Sequence, residues 1–313
     1  MADTLFFGRK YELTIGGTGA SGATEATTFV SELGKPAMDI KFDLGYKIGA
    51  PISTGHISIL GLSKARINSI LELAALDPGV ARQQHLPIKL VAGYHSAAGT
   101  VDIFRGFVVY ATVTSPPNMW LNMEVSEVNP RSGIAIDCNV SGEPTVAELI
   151  ETLIQRANDA GDVSPYQYEF VDQTYGEKCS TNRIANFMGG QTTLQDAVGK
   201  LSQQISKFAR LMIRGLYVEA YDISADDKDN DIINIDGDHG LLSVSGITNK
   251  LATVTTFIQN RPTALKYFNL VSKLNPHANG IYYIPMIEYK GHFAGPEWYV
   301  TYYGNNKRTP SND

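Results

Sequence analysis

Apolar and polar residues alternate strictly from Met38 to Tyr46, with Met38, Ile40, Phe42, Leu44 and Tyr46 separated by Asp39, Lys41, Asp43 and Gly45. Successive side chains of a strand point to opposite faces, so this period of two predicts a strand with one face buried and the other in water. GHISILGLS, residues 55 to 63, predicts a second strand directly after it. It runs into SKARINSILELA, in which Ile67, Ile70, Leu71 and Ala74 fall on one side of a helix. PIKLVAGYH, FRGFVVYATVT and WLNMEVSEV predict three further strands, divided by Gly, Ser and Pro turns. Two strands, a helix and three or more strands predict a small β-barrel with one flanking helix.

The period changes at TVAELIETLIQRANDAG, where Val146, Leu149, Ile150, Leu153, Ile154 and Ala157 make an apolar stripe of helical spacing. Thr145 and Glu148 stand at the positions of a capping box, in which each side chain satisfies a backbone N–H that the helix leaves free. Gly161 is placed to end the helix in a left-handed conformation. A second helix begins near Thr193, with Leu194, Ala197, Val198, Leu201, Ile205 and Phe208 on one face. It leads into ARLMIRGLYVEAYDI, which reads as a hairpin, so the middle of the chain reads as a small α/β domain with a weak two-fold repeat.

DISADDKDNDIINIDGDHG, residues 222 to 240, has few apolar residues and is expected to be an exposed connection. The strand signal then returns in TVTTFIQ, ALKYFNLVSKL, GIYYIPMIEYK and EWYVTYYG, which predict a second barrel. The fold class is therefore α+β, mainly β, in three parts: a barrel over 1–135, an α/β insert over 136–225 and a barrel over 226–313.

Composition narrows the function. A chain of 313 residues can bury its cores without cross-links. Its two cysteines, Cys138 and Cys179, belong to no CxxC or Cys/His cluster and are expected to be free thiols in a reducing cytoplasm. The 26 Lys+Arg against 32 Asp+Glu give a net charge of −6, which argues against a surface built to grip phosphates but permits DNA to slide past. MADTLFFGRK lacks the features of a signal peptide and no apolar run approaches the roughly 20 residues of a membrane helix, so assembly in solution without membrane insertion is expected.

Candidate chemistry is weak throughout. Gly17, Gly19 and Gly22 fit GxGxxG after the strand-like YELTI, and Asp39 lies where a ribose-binding acid would stand. YELTI alternates like a half-exposed strand, however, ATEATTFVSEL is a poor packing helix, and no βαβ series follows, so a small-residue loop is the better reading. Asp227, Asp229 and Asp231 match three positions of a calcium loop, but Ile232 replaces the turn glycine and Asp238 the bidentate Glu. The histidines His56, His85, His95, His239, His277 and His292 show no ligand spacing. There is no nucleophile elbow, Walker loop or cysteine-nucleophile signature. No catalytic, cofactor-binding or metal-binding residue is assigned.

Aromatic residues crowd the end of the chain. Tyr282, Tyr283, Tyr289, Trp298, Tyr299, Tyr302 and Tyr303 fall on two predicted strands, whose alternation puts some rings toward a core and others toward a partner. They are the candidate assembly surface.

GIYYIPMIEYKGHFAGPEWYVTYYG resembles the C-terminal hairpin of baseplate hub proteins of contractile bacteriophage tails. DGDHGLLSVSG and ALKYFNLVSKLNP are similar to the start of that family's second barrel, PAMDIKFDLGYKIGAPISTGHISILGLS to the opening of its first, and TLQDAVGKLSQQI to a helix of the part between. The resemblance implies two barrels like those of tail-tube proteins, and hence a homotrimer that presents six similar domains in a ring. Such a ring matches a six-fold tail tube on one side and a three-fold central spike on the other, and DNA passes through it during ejection without specific binding. Implied partners are the tube protein, the spike, the tape measure and other baseplate proteins, in a virion assembled in the host cytoplasm. A pyocin or type VI secretion relative is the nearest variant. Alternatives of other classes are a nucleotide-binding enzyme using the Gly17 to Gly22 loop and a carbohydrate- or receptor-binding β module.

Overall fold

The alternation at 38–46 forms strand β3 (Asp39–Lys47), with Ile40, Phe42, Leu44 and Tyr46 buried and Lys41 and Asp43 exposed. The computed structural model describes residues 8–16, 26–47, 54–74, 86–96, 98–127, 134–160, 167–170, 176–207, 209–214, 217–222, 232–248, 250–259 and 267–308. β3 pairs antiparallel with β4 (Thr54–Leu60), and α1 (Lys64–Ala74) follows with Ile67, Ile70 and Ala74 buried. The first region is completed by β1 (Arg9–Ile15), β2 (Thr27–Val30), β5 (Pro87–Tyr94), β6 (Thr100–Val113) and β7 (Trp120–Ser126), in the order β3-β4-β7-β6-β5-β1-β2. Every pairing along this path is antiparallel.

The middle region has its own apolar cluster. Its strands are β8 (Ile136–Val140), β9 (Gln167–Phe170), β10 (Phe187–Thr192), β11 (Ala209–Arg214) and β12 (Tyr217–Asp222). Helix α2 (Val146–Asp159) buries all six residues of the predicted stripe. Its capping box is formed: the Thr145 amide donates to Glu148 Oε2 at 2.8 Å, and the Glu148 amide to Thr145 Oγ1 at 3.2 Å. After the short α3 (Gly176–Thr181), α4 (Leu194–Gln204) buries Leu194, Ala197, Val198 and Leu201. β11 and β12 make the predicted hairpin, while β12 also runs parallel to β9. Cys138 and Cys179 are buried in this cluster and form no disulfide, and burial pushes the Cys138 thiol up from its ordinary pKa. Gly161 and Phe208 lie outside the described residues.

The last region adds β13 (Ile233–Ile235), β14 (Leu241–Ser245), β15 (Ala252–Phe257), β16 (Tyr267–Leu270), β17 (Gly280–His292) and β18 (Trp298–Arg308). One expectation is corrected here. The stretch 222–240 is not wholly an exposed connection, because Ile233 to Ile235 pair parallel with β16 and Ile235 is fully buried. Two isoleucines at a spacing of two suffice for a short strand when a neighbour supplies the ladder, and the surrounding aspartates hid that signal.

β17 is long enough to serve several neighbours. Its first turn-side residues pair with β16, its far half pairs with β3, and β18 runs alongside. The sheet thereby becomes a single set of thirteen strands, and one apolar cluster contains both Tyr11 and Tyr302. At the β3/β17 joint the ring of Phe42 occupies the space above Gly291, where a Cβ would lie 2.1 Å from Phe42 Cζ. The ring is packed edge-on against Trp298 at 5.3 Å and has little room to swing aside. Gly291→Ala is therefore expected to overpack the joint and cost about 1–3 kcal/mol. Urea unfolding should show a lower midpoint with an unchanged slope.

Candidate functional site

Alternation along β17 and β18 divides the seven candidate aromatic residues between two faces. Tyr282, Tyr289, Trp298 and Tyr302 are buried, whereas Tyr283, Tyr299 and Tyr303 are half-buried on the other side. Tyr282 donates its hydroxyl to the Ala278 carbonyl at 2.6 Å and stacks on Phe268. Tyr289 meets Tyr46 edge-on, and Tyr302 lies tilted against Phe268. Trp298 donates its indole N–H to the Gly93 carbonyl at 3.0 Å. These four rings fill the core and are not available to a partner in this chain, so the aromatic part of the surface narrows to Tyr283, Tyr299 and Tyr303. The reason is that one face of the sheet packs on the apolar core, and a period of two assigns every second ring to that face.

The outward face is a continuous polar band. Register places Tyr299 beside Lys290, Lys290 beside Asp43, Asp43 beside His56, His56 beside Glu124 and Glu124 beside Tyr110, a row across six strands. Asp43, His56, Glu124 and Tyr110 are exposed. Lys290 Nζ lies 3.4 Å from Asp43 Oδ2, and Asp43 holds the Lys290 ammonium above its ordinary pKa. One step along, the Tyr303 hydroxyl donates to Glu288 Oε2 at 2.7 Å. Lys290 shares this row with the acidic Asp43 and Glu124, and among its described residues no group of basic side chains stands together to hold phosphate.

The hairpin between β17 and β18 is locked to the start of the chain by Arg9, which no local pattern had marked, and by Asp39, which the pattern had marked only as a ribose-binding acid. Arg9 Nη1 donates to the carbonyls of His292 at 2.9 Å and Phe293 at 3.1 Å and also reaches that of Gly295, while its guanidinium sits 5.6 Å over the Trp298 ring. His292 Nε2 is 2.9 Å from Asp39 Oδ2, and the Ala294 amide donates to Asp39 Oδ1 at 3.0 Å. A Cβ at Gly295 would lie 2.0 Å from His292 Nδ1, so only glycine fits under that ring. The partners are 253 to 286 positions apart, and the only sequence cue was the Gly- and Pro-containing turn itself.

The same contacts bear on the nucleotide alternative. Both oxygens of Asp39 are engaged by the hairpin, and Thr27–Val30 form a strand antiparallel to β1 where a dinucleotide fold would have a helix. Gly17, Gly19 and Gly22, the aspartates 227, 229 and 231, and His85 lie outside the described residues. His239 pairs with Asp236 at 2.8 Å, and among the described residues no group of three or more His, Cys, Asp or Glu side chains is placed to hold a metal ion.

The profile of the baseplate hub gp41 family matches residues 38–304, from β3 through the middle region and β17 to most of β18. The chain belongs to this family. A baseplate hub is a structural part of a phage tail and associates with other tail and baseplate proteins. The hub chain also shares its fold with a tail protein from Neisseria meningitidis MC58, at a TM-score of 0.57 and 8% identity, over 96% of this chain and 97% of that one. A 43 kDa tail protein of prophage MuSo2 from Shewanella oneidensis is similar at a TM-score of 0.52 and 9% identity, over 94% and 96% of the two chains. No curated protein sequence matches the hub chain.

Arg9→Ala removes a charged donor from several hairpin carbonyls and is expected to destabilise the hub by about 2–3 kcal/mol, read from urea unfolding. Alkaline pH acts on the same region. Burial, with the charge of Asp39 second, pushes Tyr11 up to about 12, and burial with the Glu288 hydrogen bond pushes Tyr303 up to about 12, from an ordinary 10.0. The fold holds the neutral phenol, so this stabilisation is complete below about pH 10 and is lost as pH rises through about 12. Ultraviolet titration of tyrosinate together with circular dichroism should show ionisation of these rings and unfolding in that window.

Proposed function

We propose that the chain is a non-enzymatic hub of a contractile phage tail, acting as a homotrimer between a six-fold tube and a three-fold central spike and bounding part of the channel through which DNA is ejected. The observation that carries this reading is the family match over residues 38–304, joined to a sheet whose one face is apolar core and whose other is a polar band of mixed sign. A wall beside moving DNA works best without clustered lysine and arginine, since each phosphate contact releases counterions and slows passage. Asp43, Glu124 and Glu288 interleaved with Lys290 and Lys41 supply such a wall.

On this reading the regions 1–135 and 226–313 are two tube-like barrels and 136–225 is an insert between them. Three copies then offer six comparable barrels to the tube and three-fold symmetry to the spike. The tape measure and other baseplate proteins are further partners, and assembly proceeds in the host cytoplasm before the hub joins the virion. The work is mechanical: the hub passes force and position from tube to spike through a sheet whose strands are linked by backbone hydrogen bonds.

Native mass spectrometry of the purified chain tests the reading. The expected species is three times the mass of one chain, and it should bind tube or spike protein when either is added. A strictly monomeric chain that joins neither would refute it.

A further inference from the structure

The outer face of the sheet is exposed at Asp43, His56, Glu124 and Tyr110, yet it is covered beside them on β6. Ile88, Leu90 and Phe104 turn into the core, so alternation and register put Arg105, Phe107 and Ser126 on the outer face. Phe107 is nevertheless 1% exposed and Ser126 3%, and Phe107 belongs to neither apolar cluster. Tyr217 of β12 reaches this patch, its ring lying 5.5 Å from the Arg105 guanidinium carbon. The middle region turns a matching face toward it. Val218 and Ala220 pack into that region's own cluster, which leaves Tyr217 and Glu219 on the opposite side of β12, where Glu219 is only 4% exposed. Arg105 is also braced from its own strand: its Nε donates to Asp102 Oδ2, which lies 3.6 Å from Lys89 Nζ. The two regions thus meet along a seam of charges and rings that continues neither core.

We propose that this seam is releasable: the middle region docks on β6 as a separate body, swings from it without unfolding, and is held in place by Arg105 acting as a pin. Contacts between parts of one chain that are polar and not joined by a large apolar area allow relative movement as the ordinary case. Opening the seam leaves both apolar clusters intact, because no buried apolar residue belongs to the two at once. What is lost is the contact of Arg105 with the Tyr217 ring and the cover over Phe107 and Glu219. A guanidinium over a shielded ring is strong enough that removing it should raise the open fraction about tenfold. The device goes beyond the reading of the chain as a hub and does not depend on how many copies assemble. It lets the middle region change position while the thirteen strands keep their register.

Pulsed electron paramagnetic resonance of the full chain tests it, with spin labels on Glu124→Cys in the sheet and Met188→Cys in the middle region. Both positions are exposed and the native Cys138 and Cys179 are buried, so labelling is selective. An excess of unlabelled chain removes distances between copies. With the seam intact, one distance should dominate. Arg105→Ala and Tyr217→Ala, which remove the pin from opposite sides, should each raise a second, longer component about tenfold. Tyr217→Phe keeps the ring and should match the intact seam. Hydrogen exchange is the second readout: the amides of α2 and α4 should keep their protection in both alanine variants, because the region moves as a body. A distance distribution that neither alanine variant changes overturns the proposal. Loss of protection in α2 and α4 together with the change in distance, or failure of both variants to fold, overturns it as well, since the seam is then part of one cooperative unit.

Discussion

The antiparallel ladder between β3 and β17 joins the two ends of the chain through seven residue pairs, from Lys47 with Met286 to Lys41 with His292. Everything between them must leave that joint and return to it. Closing so long a loop costs entropy before any contact repays it, although the cost grows only slowly with length. The return comes from burial on the inner side of the joint. There Phe42 meets Trp298, Tyr46 meets Tyr289 and Tyr11 meets Phe293, rings from the start of the chain packed edge-on against rings from its end. Aromatic pairs in this geometry add about 0.5–1.5 kcal/mol each beyond the area they bury. Arg9 and Asp39 then fix the hairpin tip, so the joint is held by backbone ladder, ring packing and charged hydrogen bonds together.

This joint gives one chain a single sheet beside a separately packed middle region. The middle region has its own apolar cluster, separate from that of the sheet. One visible contact is Arg105 of β6, whose guanidinium lies 5.5 Å over the ring of Tyr217 in β12. Such an arrangement suits a structural component, because the sheet keeps its register while the middle region presents a different surface. Among the described residues, the polar groups around His292 and Asp39 are bonded to backbone and to each other.

The strands at 39–47, 54–60 and 87–94, the helix with its capping box and the β11/β12 hairpin could all be read directly, because each satisfies its own period or cap with neighbours a few residues away. β13 was obscured by the acidic residues around it, and β8 and β10 are short strands whose pairing partner lies about fifty positions off. The candidate surface was half legible. Spacing identified the aromatic residues, but only packing against the rest of the sheet decided that Tyr282, Tyr289, Trp298 and Tyr302 are buried and Tyr283, Tyr299 and Tyr303 half-buried.

Local alternation, caps and turn residues by themselves determined that this is a mainly β protein with a helical middle, without a recognisable catalytic motif, and the order of its segments determined the resemblance to baseplate hubs. The tertiary structure alone decided that the first and last regions share one sheet and that Arg9 and Asp39 serve the last hairpin. The physical reason is separation. A period of two or 3.6 is set by neighbouring backbone geometry, whereas the choice among many compatible strand partners is made by side chains that meet only after the chain has closed on itself.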